Sequence, residues 1–417
     1  MLFFRRLKIS GVFVFVNLLI IFLSLLARKF EILFFYFWMW ALIVFEAVDL
    51  LFVVFQSVQG RKLHLCRQLP DSAIERESIA TEIIVINRAP WAIWNISLED
   101  DLGVISRGKT KKFFLTSIKS NRSRRLSYDL YCAKRDKYLI GPVKVYFLDL
   151  LGMFSFAREY PVYSTVYVYP QTFNVAYFPP LTKGNLPWFG VETRRVSGDE
   201  DEFFGIREYK QGDPIKKIHW FSSARKQQLI VKEFQSFSFR KATLAFVLNK
   251  DENIGRGRES VAEYTIKIAS SLAKYLLQNR ISLEIVAHAG KMFHLPANIG
   301  SQCLDEAMKF FAAAKPQSRI TIAEFAEQVS EYLSSESTLI VICTEKSIDQ
   351  LTAFLHLNRY NVSIIPIILL SFSFADGAFG SEKSMYLERV SSQGFPGGDI
   401  SPFFVAKNDD LENIFSL

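Results

Sequence analysis

Between positions 207 and 225 the chain gathers Arg207, Glu208, Asp213, His219 and Arg225, side chains of the kind that general acid–base chemistry uses. No nucleophile stands at a readable spacing from a base in this stretch. The same residues therefore read better as an ion-pair network that clamps a hairpin onto a helix, or as a surface for docking a partner. The elements that must position them can be read locally. Phe204–Tyr209 is a strand-like approach and Gly212 permits a turn. Asp213 is a good N-cap, with Pro214 at the first helical position. That start puts Ile215, Ile218 and Ser222 on one face of a short helix with His219 beside them. The helix is expected to end near Arg225, and Leu229–Phe234 resumes as strand.

The rest of the chain decides where such a segment sits. It has 417 residues, a net charge of +8 and 50% hydrophobic residues, enough for two or three domains with real cores. That apolar share, with only four Cys, excludes disordered, collagen-like and disulfide-scaffold classes. Cys66, Cys132, Cys303 and Cys343 form no CxxC pair, so neither a zinc ribbon nor a redox motif is present and no cofactor is expected. They read as reduced thiols in a reducing compartment.

The apolar residues are concentrated at the N-terminus, where 12 of the 39 Phe fall within residues 1–55. Ile9 to Ala27 carries no charge and is flanked by basic residues, and Ile32 to Phe55 follows after a short polar gap. Each is long enough for a bilayer of about 30 Å, so residues 1–58 read as a two-helix transmembrane hairpin. Phe34, Phe35, Tyr36, Phe37, Trp38 and Trp40 cluster near one interface. Arg5, Arg6 and Lys8 precede the first helix, and Arg61, Lys62 and Arg67 follow the second. By the positive-inside rule, this multi-pass chain sits in the cytoplasmic (inner) membrane with both termini and the soluble domains cytoplasmic. Glu46 and Asp49 fall three residues apart on one face of the second helix. Near the last turns they read as interfacial acids rather than a transport path.

Residues 59–170 show short β segments with turns, Thr81–Ile86, Phe113–Thr116, Leu126–Cys132, Val143–Leu148 and Thr165–Val168, which suggests an immunoglobulin-like β-sandwich. Residues 171–240, rich in Pro and Gly at their start, form a linker that carries the 207–225 segment. From 241 to 370 strands and helices alternate: Ala242–Leu248, Ser260–Gln278, Ser282–Ala287, Gln302–Ala313, Ile322–Leu333, Thr338–Cys343, Ile348–Leu357 and Val362–Ile368. Such alternation with apolar strands argues a doubly wound α/β domain, whose ligands sit at the strand C-terminal edge after Leu248. Residues 371–417 read as a loosely ordered tail. The fold class is thus a membrane α-hairpin followed by two soluble domains, one all-β and one α/β.

Twelve Lys or Arg and two Asp fall within residues 106–144. This run is a solvated basic face, a tether to anionic lipid, or a nucleic-acid contact. Nothing in it interleaves aromatics with basics in the manner of an RNA-binding module, so nucleic acid ranks last.

Arg207, Glu208, Tyr209, Gly212, Asp213, Ile218, His219, Trp220, Ser223, Ala224 and Arg225 occupy the positions of a signature. The string resembles that of the domain of unknown function 58 family, bacterial and archaeal membrane proteins. The hairpin, the stretch Lys134–Phe154 and Tyr167 to Pro170 extend the resemblance over nearly the whole chain. It implies a C-terminal domain similar to von Willebrand factor A domains and association with a MoxR-type AAA+ ATPase acting on client proteins. In such domains a metal-ion-dependent adhesion site begins Asp-x-Ser-x-Ser, because a hard cation takes oxygen ligands. Here Asn249, Asp251 and Asn253 stand in those places with Lys250 between, so the loop is degenerate and no tight metal is expected; Asp251 with Glu252 is the remaining option.

These observations favour a membrane-anchored, non-enzymatic adaptor or assembly factor that docks protein partners. A membrane-bound hydrolase using the Arg207–Arg225 segment is the second reading, and a lipid or nucleic-acid tether through residues 106–144 the third.

Overall fold

The computed structural model describes residues 7–30, 33–103, 110–176, 178, 197–210, 213, 215, 218–235, 241–333, 337–348, 350, 352–355, 362–375 and 402–416. The chain divides into two units, Met1–Gln171 and Thr172–Leu417.

In the first unit β1 (Leu7–Ile9) leads into helix α1 (Gly11–Phe30), and α2 (Leu33–Gln59) returns. Among the described residues ten strands follow: β2 (Leu63–Gln68), β3 (Ser72–Ile74), β4 (Ser78–Asn87), β5 (Ile93–Asp101), β6 (Thr110–Ile118), β7 (Ser123–Tyr131), β8 (Asp136–Ile140), β9 (Val143–Leu148), β10 (Phe154–Tyr160) and β11 (Ser164–Tyr169). At about 1.5 Å per residue the helices are about 30 and 40 Å long. Both are long and apolar enough to cross a bilayer, with mean hydropathies of 2.3 and 2.1, and few of their residues are buried by protein.

The strand before the helices pairs antiparallel with β10, Leu7 opposite Phe156, while β2, after them, pairs with β4. Both ends of the helical pair are therefore fixed to the same β region. The junction is close-packed. Tyr160 Oη donates to the Gly60 carbonyl at 2.5 Å, Arg158 donates to the Ser57 carbonyl at 3.0 Å, and Trp94 N donates to the Gln56 side chain at 3.2 Å. Gly60 is required by space, since a Cβ there would fall 2.2 Å from Cζ of the buried Phe147.

The strands form sheets of order β1-β10-β9-β5-β6, β2-β4-β7 and β3-β11-β8. Alternate residues of β4 face inward, as a sheet with one solvated face requires. Ile83, Val85, Ile96, Leu98, Val145, Phe147, Val166 and Val168 meet in one core. The basic run acquires a structural reason here. Strands β6, β7 and β8 are each the last of their sheet, and exposed Lys111, Lys112, Arg124, Arg125 and Lys137 lie on them. Charge on an edge strand opposes pairing with another chain. One polar group is buried across the core: Arg67 of β2 pairs with Asp100 of β5 and donates to the carbonyls of Ile140 and Val162. Tyr128 Oη donates to the same Asp100 at 2.6 Å.

The second unit opens with a two-stranded antiparallel ribbon, β12 (Ser197–Glu208) and β13 (Ile230–Gln235), with the short helix α3 (Trp220–Lys226) between them in sequence. There follow β14 (Lys241–Val247), the small ribbon β15 (Gly255–Arg256) and β16 (Glu259–Ser260), α4 (Val261–Gln278), β17 (Ser282–His288), β18 (Met292–Asn298), α5 (Ser301–Ala313), α6 (Ile322–Ser330), β19 (Thr338–Thr344), α7 (Thr352–Leu355), β20 (Ser363–Leu369), β21 (Phe403–Val405) and α8 (Leu411–Ile414). Six of these strands make a sheet of order β18-β17-β14-β19-β20-β21. All its neighbours are parallel except β18, which returns antiparallel beside β17. The central strands are buried along their length, as a sheet covered on both faces demands. Phe246 packs towards Phe311 of α5, while Ala245 and Val341 share a cluster with Ile322 and Phe325 of α6.

Two expectations are corrected. Residues 402–416 of the expected loose tail instead add β21 and α8, because Phe403 and Phe415 stack with Phe178. Phe173, Val175 and Phe178, expected in a linker, are buried, with Phe173 N donating to Ser271 of α4 at 3.0 Å. Of the expected helix Ile348–Leu357, the described residues keep α7 alone.

Candidate functional site

The 207–225 segment is built around three fastenings. Arg207, at the end of β12, grips Asp213 with both terminal nitrogens, at 2.7 and 2.8 Å. Asp213 also accepts from Lys210 N at 2.8 Å, while its own N–H donates to the Lys210 carbonyl at 3.0 Å. The Arg207 guanidinium, followed by the Lys210 N–H, holds the Asp213 carboxyl at about 2, well below its ordinary 3.8. Asp213 thus closes a turn instead of capping the helix.

The cap is His219, whose Nδ1 accepts from Ser222 N at 3.2 Å. The helix starts late because the backbone just before it is still extended, with Ile218 bridged to Val231 and His219 N donating to the Ile230 carbonyl at 2.8 Å. Ser223 supplies the third fastening. Its buried hydroxyl donates to the His219 carbonyl and accepts from Ile230 N, both at 2.9 Å, tying α3 to β13. Tyr209 N donates to the Leu229 carbonyl at 2.9 Å. Gly212 and Pro214 lie outside the described residues.

The segment thus brings Arg207 together with Asp213, and His219 together with Ser223. Glu208, Trp220 and Arg225 are exposed. Its described polar contacts hold ribbon, turn and helix together; Arg225 is not part of the Arg207–Asp213 pair.

At the C-terminal ends of the parallel strands, Asn249 Oδ1 accepts from Asp251 N at 2.9 Å. Asn253 Oδ1 instead accepts from Ala262 N at 3.0 Å, at the start of α4. The sequence-predicted trio is therefore split between a turn and a helix cap. The carboxylate at the centre is Glu252, which accepts from Thr344 Oγ1 and from Ser347 Oγ at 3.2 Å. The enclosed space lined by Asn249, Glu252, Asn253 and Thr344 is about 20 Å³, room for one water. Among the described residues no three His, Cys, Asp or Glu side chains come together as metal ligands.

Two groupings escaped sequence reasoning. His288, ending β17, meets Ser318 at 2.8 Å between Nδ1 and Oγ. A Ser–His pair is a nucleophile's arrangement, but Ser318 is fully buried, and burial pushes the His288 imidazole pKa down. Buried Glu284 meets Lys241 Nζ at 2.9 Å, Thr243 Oγ1 at 2.8 Å and His294 Nε2 at 3.1 Å. The one signal for it was an acid inside an otherwise apolar strand. In the first unit Glu46 and Asp49 have separate partners. Glu46 accepts from Asn17 of α1 at 3.1 Å, whereas Asp49, 3% exposed, is buried near Asp149 in the turn after β9. Asp149 Oδ2 in turn accepts from Met153 N at 2.7 Å and Phe154 N at 3.1 Å. Cys66 is exposed, and the other three thiols are buried and free.

Comparison with known proteins supports the family resemblance. The profile of the family described as Protein of unknown function DUF58 matches residues 205–370, which takes in the whole 207–225 segment and the parallel sheet through β20. The uncharacterized protein YeaD of Bacillus subtilis (strain 168) is 21% identical over 276 residues, 64% of this chain and 64% of that relative. Among solved structures, the CARDB domain of the PF1109 protein from Pyrococcus furiosus is 11% identical, covering 23% of this chain and 85% of that one, with a TM-score of 0.17. A beta-glucosidase from Listeria innocua is 15% identical over 25% of this chain and 16% of that one, with a TM-score of 0.16. Likenesses at that level carry no argument about fold.

Proposed function

We propose that this chain is a membrane-anchored, non-enzymatic adaptor of the DUF58 type. In this reading α1 and α2 cross the cytoplasmic membrane as a hairpin, with both termini and both soluble domains on the cytoplasmic side. The β region is an immunoglobulin-like sandwich and the parallel-sheet unit a von Willebrand factor A-like domain. These domains offer docking surfaces to a MoxR-type AAA+ ATPase and its client.

One observation carries the adaptor reading. In the 207–225 segment Arg207, Asp213, His219 and Ser223 are engaged in fastening the ribbon to its helix, which is what a rigid docking element needs. The anchor rests on two bilayer-length helices whose apolar side chains lie bare; in water that surface would drive aggregation.

Affinity recovery of the full chain from crosslinked native membranes tests the reading, with recovery of an AAA+ ATPase as the expected result. The hydrolase alternative predicts turnover by the purified chain that disappears in His219→Ala while thermal stability is kept. Loss of helix α3 in that variant, with no turnover in the parent, supports the clamp.

A further inference from the structure

The outward face of α3 carries an arrangement that the clamp leaves free. At about 100° per residue, the buried Ser223 lies opposite the arc between Phe221 and Arg225, with Ala224 inside the outward half. Trp220 and Phe221 are 64% and 78% exposed, and Ile215, just ahead of them, 69%. Exposures this high mark side chains that project rather than line a groove. Lys210, Arg225 and Lys226 of the same segment are exposed as well. Of the two acids in the segment, Asp213 is already matched by Arg207 and Glu208 is exposed, which leaves three exposed cations against one acid; Phe221 and Arg225 share the crest of the helix, with Trp220 and Lys226 on its flanks.

We propose that this face inserts Trp220, Phe221 and Ile215 into the headgroup region of an anionic bilayer, with Lys210, Arg225 and Lys226 on the lipid phosphates. The proposal rests on the reading that α1 and α2 hold the chain in a membrane. A lipid surface fits better than a protein for two reasons. Projecting apolar side chains suit a yielding medium that needs no matching pocket, and Trp and Phe beside basic residues are the composition of interfacial contacts. Anchoring on the same chain keeps the local concentration of lipid high, so a small contact suffices.

The test uses the full chain with Cys66→Ser, which removes the one exposed thiol, and Ala224→Cys carrying an environment-sensitive fluorophore. It is placed in nanodiscs of phosphatidylcholine, alone or mixed with phosphatidylglycerol. A blue-shifted emission protected from aqueous iodide is expected in the anionic discs only. Each charge removed from Lys210, Arg225 or Lys226 should lower the inserted population about fivefold. A label at exposed Lys274 of α4 should report water in both discs. A label at 224 that stays in water in both compositions, shifts equally in neutral discs, or shifts no more than the one at 274 overturns the proposal. Disc retention on size exclusion separates the two claims. A chain that leaves neutral discs contradicts the anchor, whereas a retained chain with a water-exposed label contradicts insertion alone.

Discussion

Arg207 and Asp213, six positions apart, are joined by two parallel N–H···O bonds of 2.7 and 2.8 Å, and this pair fixes the turn that delivers the chain from the ribbon to α3. A bidentate guanidinium–carboxylate pair is geometrically selective as well as attractive. That selectivity explains why Asp213, a residue suited to capping a helix, closes the turn and leaves the cap to His219.

The pair makes a pH prediction. The folded carboxyl titrates at about 2 against an ordinary 3.8. A depressed carboxyl contributes its stabilisation fully above the unfolded value and loses it as pH falls through the folded one. The turn should therefore hold down to about pH 4 and loosen between there and about pH 2. Carbon-detected NMR of the Asp213 carboxyl should show that midpoint, and Arg207→Gln should return it towards 3.8.

Ser223 is a two-sided contact whose removal leaves Ile230 N–H and the His219 carbonyl without this partner. Ser223→Ala should cost about 1–3 kcal/mol locally. Hydrogen exchange at the Ile230 amide should accelerate accordingly, while amides of β14 and β19 keep their protection.

Arg67 and Asp100 are both sealed in the core of the first unit. Removing one partner of such a pair costs about 3–5 kcal/mol, whereas replacing both by apolar groups is often neutral. Arg67→Met should lower the denaturation midpoint sharply, and Arg67→Met with Asp100→Leu should recover much of the loss, less whatever Tyr128 forfeits.

Gly60 sits where α2 hands over to β2, its missing side chain occupied by the Phe147 ring. Gly60→Ala should cost about 1–3 kcal/mol by overpacking, read as a lower thermal midpoint in detergent. Adding Phe147→Leu should return part of it.

Much of this architecture was readable because its signals are local. The uncharged run before Arg28 and the largely apolar strands β14, β17 and β19 each state their environment without help from distant sequence. Edge elements were harder. β18 reads Met-Phe-His-Leu-Pro-Ala-Asn, with a Pro and little alternation, and is strand only because β17 offers its free edge. β21 and α8 lie after a Gly- and Ser-rich stretch and are held by aromatic stacking against residues over 200 positions earlier. The Arg207–Asp213 pairing was within reach, since both residues were singled out. Their partnership was not, because a good N-cap sequence competes with a bidentate Arg and geometry alone decides between them. Contacts such as Glu252 with Thr344, or His288 with Ser318, join loops 30 or more residues apart, and no spacing rule announces them.

The central claim is that the chain is an adaptor whose partner binding depends on the 207–225 segment. The most direct measurement is quantitative mass spectrometry of proteins crosslinked to the full chain in native membranes, comparing the parent with Arg207→Ala/Arg225→Ala at equal membrane levels. The account predicts an AAA+ ATPase recovered with the parent and lost with the variant. Recovery of no ATPase with either, alongside catalytic turnover by the purified parent, would contradict it.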